Sequence, residues 1–206
     1  VCDGVLHHLP SAPTPRDSAT AIEDLVVDYV ERASAQVALH GVGLSVAGFI
    51  AADRARVNLA PNLPLSGYDL GGRLTQRLGL PVWVENDVNA AAWGEFRAGA
   101  ATASPFVLVM VGTGLGGGLV VDGRLLRGGR GAAGEIGHLE LVPGGRPCGC
   151  GLRGCWEQYA SGTAIVRRAR EELAAGRASV LAGREDVSGH DLLDRSEERR
   201  VGKECR

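Results

Sequence analysis

Nothing in this sequence approaches the roughly 20 consecutive apolar residues that a bilayer-spanning helix needs, although 45% of its 206 residues are hydrophobic. Nor does it carry an excess of one charge: 22 Lys and Arg face 24 Asp and Glu. That balance supplies no electrostatic reason to expect nucleic acid or an anionic membrane as partner, and a small neutral or anionic ligand fits better. The opening residues Val1, Cys2, Asp3 and Gly4 show neither a basic leader nor a signal-peptide core, so the expectation is a cytosolic protein. Internal repeats are absent too, which excludes a solenoid.

What is present begins with a helix. Ile22, Leu25, Val26, Tyr29, Val30, Ala33 and Val37 recur at helical spacing behind Ser18, a residue type that caps a first turn. Residues 42–46 then read as a buried strand, and 70–78 as a short helix stopped by Gly79. Pro81 opens a strand over 82–84, Asn86 and Asp87 follow at its carboxyl end, and 90–96 continues as helix. This half alternates α and β, with strands expected to be buried on both faces. A second sheet is expected from strands at 106–111 and 119–121, with Asp122-Gly123 as a tight turn into 124–126. Residues 127–154 are glycine-rich, with a strand expected at 138–142, and helix returns at 156–160 and 164–174.

The strongest chemical signal is His138 followed by Cys148, Cys150 and Cys155 in a glycine-rich loop. Three thiolates and one imidazole make a closed tetrahedral set for zinc, and the glycines let the backbone turn tightly enough to gather the sulfurs. The alternative is three buried free cysteines. With no open coordination position, such a zinc is structural.

Glu85, Asn86, Asp87 and Asn89 crowd the junction of a strand and a helix. Taken alone they read as helix caps, yet a cap needs only one of Asn86 and Asp87, and the carboxyl end of a strand in an α/β sheet is also where ligand groups collect. Residues 112–118 contain the glycine spacing of a dinucleotide fingerprint, but strand and turn follow where a helix is required, and no Walker lysine is present. That leaves open a structural glycine turn and a backbone cradle for phosphate oxygens. Glu135 and Glu157 bracket the cysteine loop; each alone reads as a solvated surface residue.

As a set, in order and spacing, the Glu85-Asn86-Asp87-Val88-Asn89 stretch, the glycines of 112–118, Gly134-Glu135-Ile136-Gly137-His138 and the Cys148-x-Cys150-Gly151-x-x-Gly154-Cys155-Trp156-Glu157 run resemble the repressor/open-reading-frame/kinase (ROK) family. The resemblance implies an α/β chain of the actin-like ATPase (ribonuclease H-like) fold, two α/β domains around a sugar cleft, and a glucokinase-like activity on the 6-hydroxyl of glucose or a related hexose. It implies Asp87 as general base, Asn62, Asn86, Glu135, His138 and Glu157 as sugar-binding residues, the turn at Ala47-Gly48 beside them, and Gly112, Thr113 and Gly114 as a phosphate loop. His138, Cys148, Cys150 and Cys155 become the ligands of a structural zinc, ATP with Mg2+ the phosphoryl donor, and the full-length protein a homo-oligomer.

The family's opening Asp-x-Gly-Gly-Thr phosphate loop and its later adenosine motif have no counterpart here, so the expectation is a chain truncated at both ends. It would comprise a small domain at 1–85 and part of a large one at 86–194. Residues 195–205 back-translate to a sequence like a sequencing-adapter oligonucleotide, so 195–206 are expected to be an artefact. The competing function is a sugar-sensing ROK repressor whose DNA-binding domain lies outside this chain. Asp87 and the glycine loop favour the kinase.

Overall fold

The computed structural model describes residues 7–99, 104–184 and 186–192. The opening tetrapeptide and the 195–206 segment singled out above lie outside them. The described residues of Val1–Leu108 and Gly118–Gly134 form one compact unit, and those of Val109–Gly117 and Glu135–Arg206 a second.

The first unit opens with helix α1 (Ala19–Ser34), where the Ser18 hydroxyl accepts the Ala21 N–H at 3.1 Å. Val37 of the periodic set falls beyond the end of the helix. Strand β1 (Val42–Val46) leads to a small antiparallel pair, β2 (Phe49–Ile50) and β3 (Val57–Leu59). Helix α2 (Leu70–Leu78) is capped by Asp69, and it ends at Gly79, whose φ of +65° is the left-handed conformation that glycine adopts without a Cβ penalty. Strand β4 (Val82–Asn86) then pairs in parallel with β1, from Val42 opposite Val82 to Val46 opposite Asn86. That register brings the carboxyl ends of both strands to one edge, where helix α3 (Asp87–Arg97) begins without a loop.

Val46, Ile50, Val57, Leu65, Leu70, Leu74, Val82 and Val84 form the core of this unit. Burying each such side chain contributes about 2 kcal/mol. The strands are not buried on both faces as the sequence suggested. Along β1, Gly43 and Ser45 are exposed, and on β4 Trp83 is 46% exposed, because the core cluster occupies one face of the pair.

A three-stranded sheet runs in the order β5 (Phe106–Val111), β6 (Leu115–Val121), β7 (Arg124–Leu125). Asp122 and Gly123 have φ of +50° and +70°, the pair of left-handed residues that a two-residue hairpin with native twist requires. Gly116, Gly117 and Gly118 belong to β6, so the irregular glycine loop shrinks to 112–114. A side chain at Gly118 would collide with the Cβ of Ala92, so its absence lets α3 lie against β6.

In the second unit, the strand expected at 138–142 does not form. A short 3-10 helix, Ile136–His138, is followed by irregular chain whose amides bond across to the cysteine loop: Leu141 N–H reaches the Gly154 carbonyl at 2.8 Å, and the Leu139 carbonyl accepts from Trp156. A regular strand would need a continuous partner, and the turn-rich segment opposite offers one bridge, Glu140 with Cys155. Helices α4 (Glu157–Ala160) and α5 (Gly162–Ala174) follow, with buried Ser161 capping α5 through Ala164 N–H at 3.1 Å.

Candidate active site and metal centre

Asn86 and Asp87 divide the work at the β4–α3 corner. Asn86 is the cap: its Oδ1 accepts the Asn89 N–H at 2.9 Å, while its Nδ2 donates to the Gly48 carbonyl and to Asp87 Oδ1, both at 3.1 Å. Asp87 Oδ1 also accepts the Val88 N–H at 3.0 Å, and among the described residues nothing donates to Oδ2. With the cap already made, Asp87 has an oxygen to spare in the first turn of α3. Its side chain faces a cavity of about 690 Å3 whose wall includes Ser45, Ala47, Asn62 and Arg16 among apolar residues of α1 and β1. Of the site residues read from the sequence, the first unit therefore gathers Asp87, Asn62 and Ala47 on one cavity, with Asn86 and Gly48 bonded behind.

Behind the corner is a charged anchor to which the sequence reading gave no role. Glu85 is 9% exposed; its Oε2 accepts Arg127 Nε–H at 2.7 Å, and its Oε1 accepts the Asn86 N–H at 3.2 Å and Asn89 Nδ2 at 3.4 Å. Arg54 Nε stands 3.6 Å from the same Oε2, within ion-pair reach and beyond a good hydrogen bond. Arg54 is itself held in the left-handed region, φ +59°, with its carbonyl accepting the Val84 N–H at 2.8 Å. No local pattern announces this network, because Arg127 and Arg54 come from turns far from Glu85 in sequence.

In the second unit, one ligand atom from each of His138, Cys148, Cys150 and Cys155 lies within 4.8 Å of the others. A tight turn gathers the sulfurs: Cys148 N–H bonds the Leu152 carbonyl at 2.8 Å, and Gly151 and Gly154 take φ of +92° and +75°. Zinc–sulfur and zinc–nitrogen bonds of about 2.3 and 2.0 Å in a tetrahedron put sulfurs about 3.8 Å apart and sulfur about 3.5 Å from nitrogen. The observed separations are 3.7 Å between Cys150 and Cys155 and 3.6 Å from Cys148 Sγ to His138 Nδ1. The four residues therefore fit a zinc ion. Burial, and then the neighbouring Cys150 and Cys148 sulfurs, push the Cys155 thiol up to about 12. A divalent cation is what makes a buried thiolate tenable there. His138 Nδ1 faces the sulfurs while its Nε2 lies 4.0 Å from Glu135 Oε2. That is the usual placement of a carboxylate behind a metal-bound imidazole, at a separation too long for a direct hydrogen bond.

Glu157 stands between this cluster and the glycine loop. Its Oε1 is 3.7 Å from Cys148 Sγ, and its Oε2 accepts the Leu115 N–H at 3.1 Å. The loop is pinned from the other end as well, since the Gly112 carbonyl accepts the Gly162 N–H and the Thr113 carbonyl the Thr163 hydroxyl, both at 2.8 Å. Among the described residues no acceptor takes the N–H groups of Thr113 and Gly114. Thr163 and Gly162 were missed in the sequence because only the folded chain sets them against residues about fifty positions earlier.

The ROK family model matches residues 5–203 of the 206, and the chain belongs to the ROK family. A glucokinase of Streptomyces coelicolor is 44% identical over 178 residues, 85% of this chain and 55% of that protein. Among solved structures, a ROK family glucokinase from Streptomyces griseus, in complex with glucose and AMPPNP, superposes with a TM-score of 0.72 at 41% identity, covering 93% of this chain and 62% of that one. A ROK family transcriptional regulator, a homologue of the Escherichia coli MLC protein, gives 0.77 at 30% identity, covering 87% and 46%. The mixed α/β chain has the actin-like ATPase fold of its family's sugar kinases, as the motif set implied. It spans about half the length of the curated relatives it matches. Among the described residues no helix is long and apolar enough to cross a membrane.

Proposed function

We propose that the protein is an ATP-dependent hexokinase that phosphorylates the 6-hydroxyl of glucose or a related hexose, with Asp87 as general base. The observation that carries this reading is the spare oxygen of Asp87, on a cavity wall it shares with Asn62, while Asn86 makes the cap that would otherwise occupy it. Glucokinases at 44% and 43% identity support the substrate class.

A sugar hydroxyl is a poor nucleophile, and a carboxylate that takes its proton as the oxygen attacks the γ-phosphorus contributes a factor of about 10² to 10⁴. In the first unit, Asn62 and Asn86 are the candidates for bonding sugar hydroxyls; in the second, Glu135, His138 and Glu157. Discrimination among sugars then comes from polar groups that would be left buried and unpaired by the wrong one. The N–H groups of Thr113 and Gly114, beside Gly112, hold phosphate oxygens. ATP supplies the phosphoryl group, and the Mg2+ bound with it neutralises charge on the polyphosphate. His138, Cys148, Cys150 and Cys155 would hold a structural zinc, which shapes the loop and offers no open position for chemistry.

The experiment is to incubate the full-length protein with ATP and glucose and to follow glucose 6-phosphate with a coupled dehydrogenase. Sugar-stimulated product formation is expected. A second reading, a sugar-sensing repressor, draws on the superposition with the MLC homologue. Sugar binding without turnover, together with a DNA-binding module encoded before Val1, would favour that reading and overturn the kinase.

A further inference from the structure

We propose that Glu157 is a positioning residue for the glycine loop, tying the peptide of Leu115 to the cysteine cluster so that metal loading sets the loop's affinity for a nucleoside triphosphate. The affinity part rests on reading 112–114 as a phosphate loop; the mechanical part does not.

The orientation of the loop follows from peptide geometry. Across a trans peptide the C=O of one residue and the N–H of the next point in opposite directions. The Gly112 carbonyl is drawn to Gly162 N–H at 2.8 Å and the Thr113 carbonyl to the Thr163 hydroxyl at 2.8 Å. The N–H groups of Thr113 and Gly114 must then point away from α5, and they are the two that lack an acceptor among the described residues. Two adjacent free amides facing one way form an anion-binding concavity. Released carbonyls could rotate to that side and repel a phosphate instead.

Glu157 fixes the next peptide. Its Oε2 accepts the Leu115 N–H at 3.1 Å, which turns the Gly114 carbonyl the other way, onto Gly112 N–H at 3.0 Å. A side chain at position 114 would strike the same Oε2, so a glycine stands where the carboxylate meets the loop. The other oxygen, Oε1, is 3.7 Å from Cys148 Sγ, and Glu157 follows buried Cys155 by two residues, with Trp156 N–H anchored on the Leu139 carbonyl at 2.9 Å. All three ties on the loop therefore originate in residues 157–163, and Glu157 follows Cys155 of the cluster by two positions. Removing the ion would free Cys155 and, through the short Cys155-Trp156-Glu157 segment, the carboxylate that orients the Leu115 peptide; a metal-bound Cys148 thiolate has no proton to donate to that carboxylate, so the chain itself carries the link.

The test uses the full-length protein without sugar. Amide hydrogen exchange is read at residues 113–115, together with affinity for a non-hydrolysable ATP analogue, for the metal-loaded protein, the chelated protein, Glu157→Ala and Glu157→Gln. Glu157→Ala is expected to keep its metal, since Glu157 is no ligand, yet to exchange Leu115 at least about tenfold faster and bind the analogue about tenfold more weakly, the loss of one hydrogen bond to a charged acceptor. Chelation should reproduce the faster exchange, and Glu157→Gln, which keeps an acceptor, should stay nearer the native protein in both measurements. Metal-replete Glu157→Ala with native exchange and native affinity overturns the proposal, as does chelation that leaves Leu115 protected. If the native protein binds no nucleotide at any metal loading, the kinase reading fails, while the exchange data still decide the mechanical coupling.

Discussion

Arg127 donates its Nε–H to Glu85 Oε2 at 2.7 Å, and the receiving carboxylate belongs to the residue immediately before the Asn86–Asp87 corner. The pair holds the end of β4 from behind while Asn86 caps α3 in front. Arg127→Met would leave Oε2 of the buried carboxylate with Arg54 at 3.6 Å, while Oε1 keeps the Asn86 N–H and the Asn89 amide. A loss of about 2 kcal/mol is expected, in the range for a hydrogen bond to a charged group. Arg127→Lys should restore only part of it, because the ammonium lacks the planar fork. Urea unfolding of the three proteins is the measurement, and equal midpoints would show that the pair carries no weight.

On the proposed reading, Asp87→Asn keeps the shape of the corner and removes the proton acceptor. Turnover of glucose by the full-length protein should fall by about 10² or more while sugar affinity stays within about tenfold, so the loss appears in kcat. A variant as active as the native enzyme would remove Asp87 from the mechanism.

Protein purified without added metal should carry about one zinc per chain, and sugar binding should be lost when the ion is stripped. Cys155→Ser, at the most deeply buried of the described cysteines, should lower the zinc content more than substitution at partly exposed Cys150. Less than about a tenth of a zinc per chain in the native protein, by elemental analysis, would contradict a tetrahedral site of this kind.

Glu23 on α1 is fully buried against α2 and receives Arg73 Nε at 2.5 Å, Tyr68 Oη at 2.9 Å and Arg77 at 3.0 Å. Burial pushes its carboxyl up, but the hydrogen bonds from Arg73, Tyr68 and Arg77 together outweigh burial and hold it below the usual carboxylate value. A carboxyl depressed in the folded state contributes stability above its unfolded pKa, about 4.3, and loses it as pH falls through the folded value. The native protein should therefore lose stability below about pH 4.3 more steeply than Glu23→Gln. At neutral pH the variant should be weaker by about 1 to 2 kcal/mol, a modest figure because both arginines are at least a third exposed and can hydrate. Denaturant midpoints at pH 7 and pH 3.5 give both comparisons, and parallel pH curves would refute the assignment.

Features decided within a few residues were legible in the sequence. Ser18 before α1, Gly79 after α2, the Asp122–Gly123 hairpin and the helical spacing of α1 all depend on contacts three or four positions apart, which composition alone specifies. The gathering of His138 with Cys148, Cys150 and Cys155 was legible for a related reason: the four lie within one short stretch of chain, and thiolates at that spacing suit little besides a soft cation. Tertiary structure decided the rest. Whether Asn86 or Asp87 made the cap turned on the Gly48 carbonyl, brought alongside by the parallel register of β1 and β4. The 138–142 segment has strand-forming residues but found a turn opposite it, so its amides were satisfied without a ladder. Arg127 with Glu85, and Glu157 with Leu115, are partners 42 residues apart in each case. Nothing local marks them, because a charged side chain far from any motif reads as surface until the folded chain supplies the group that it neutralises or orients.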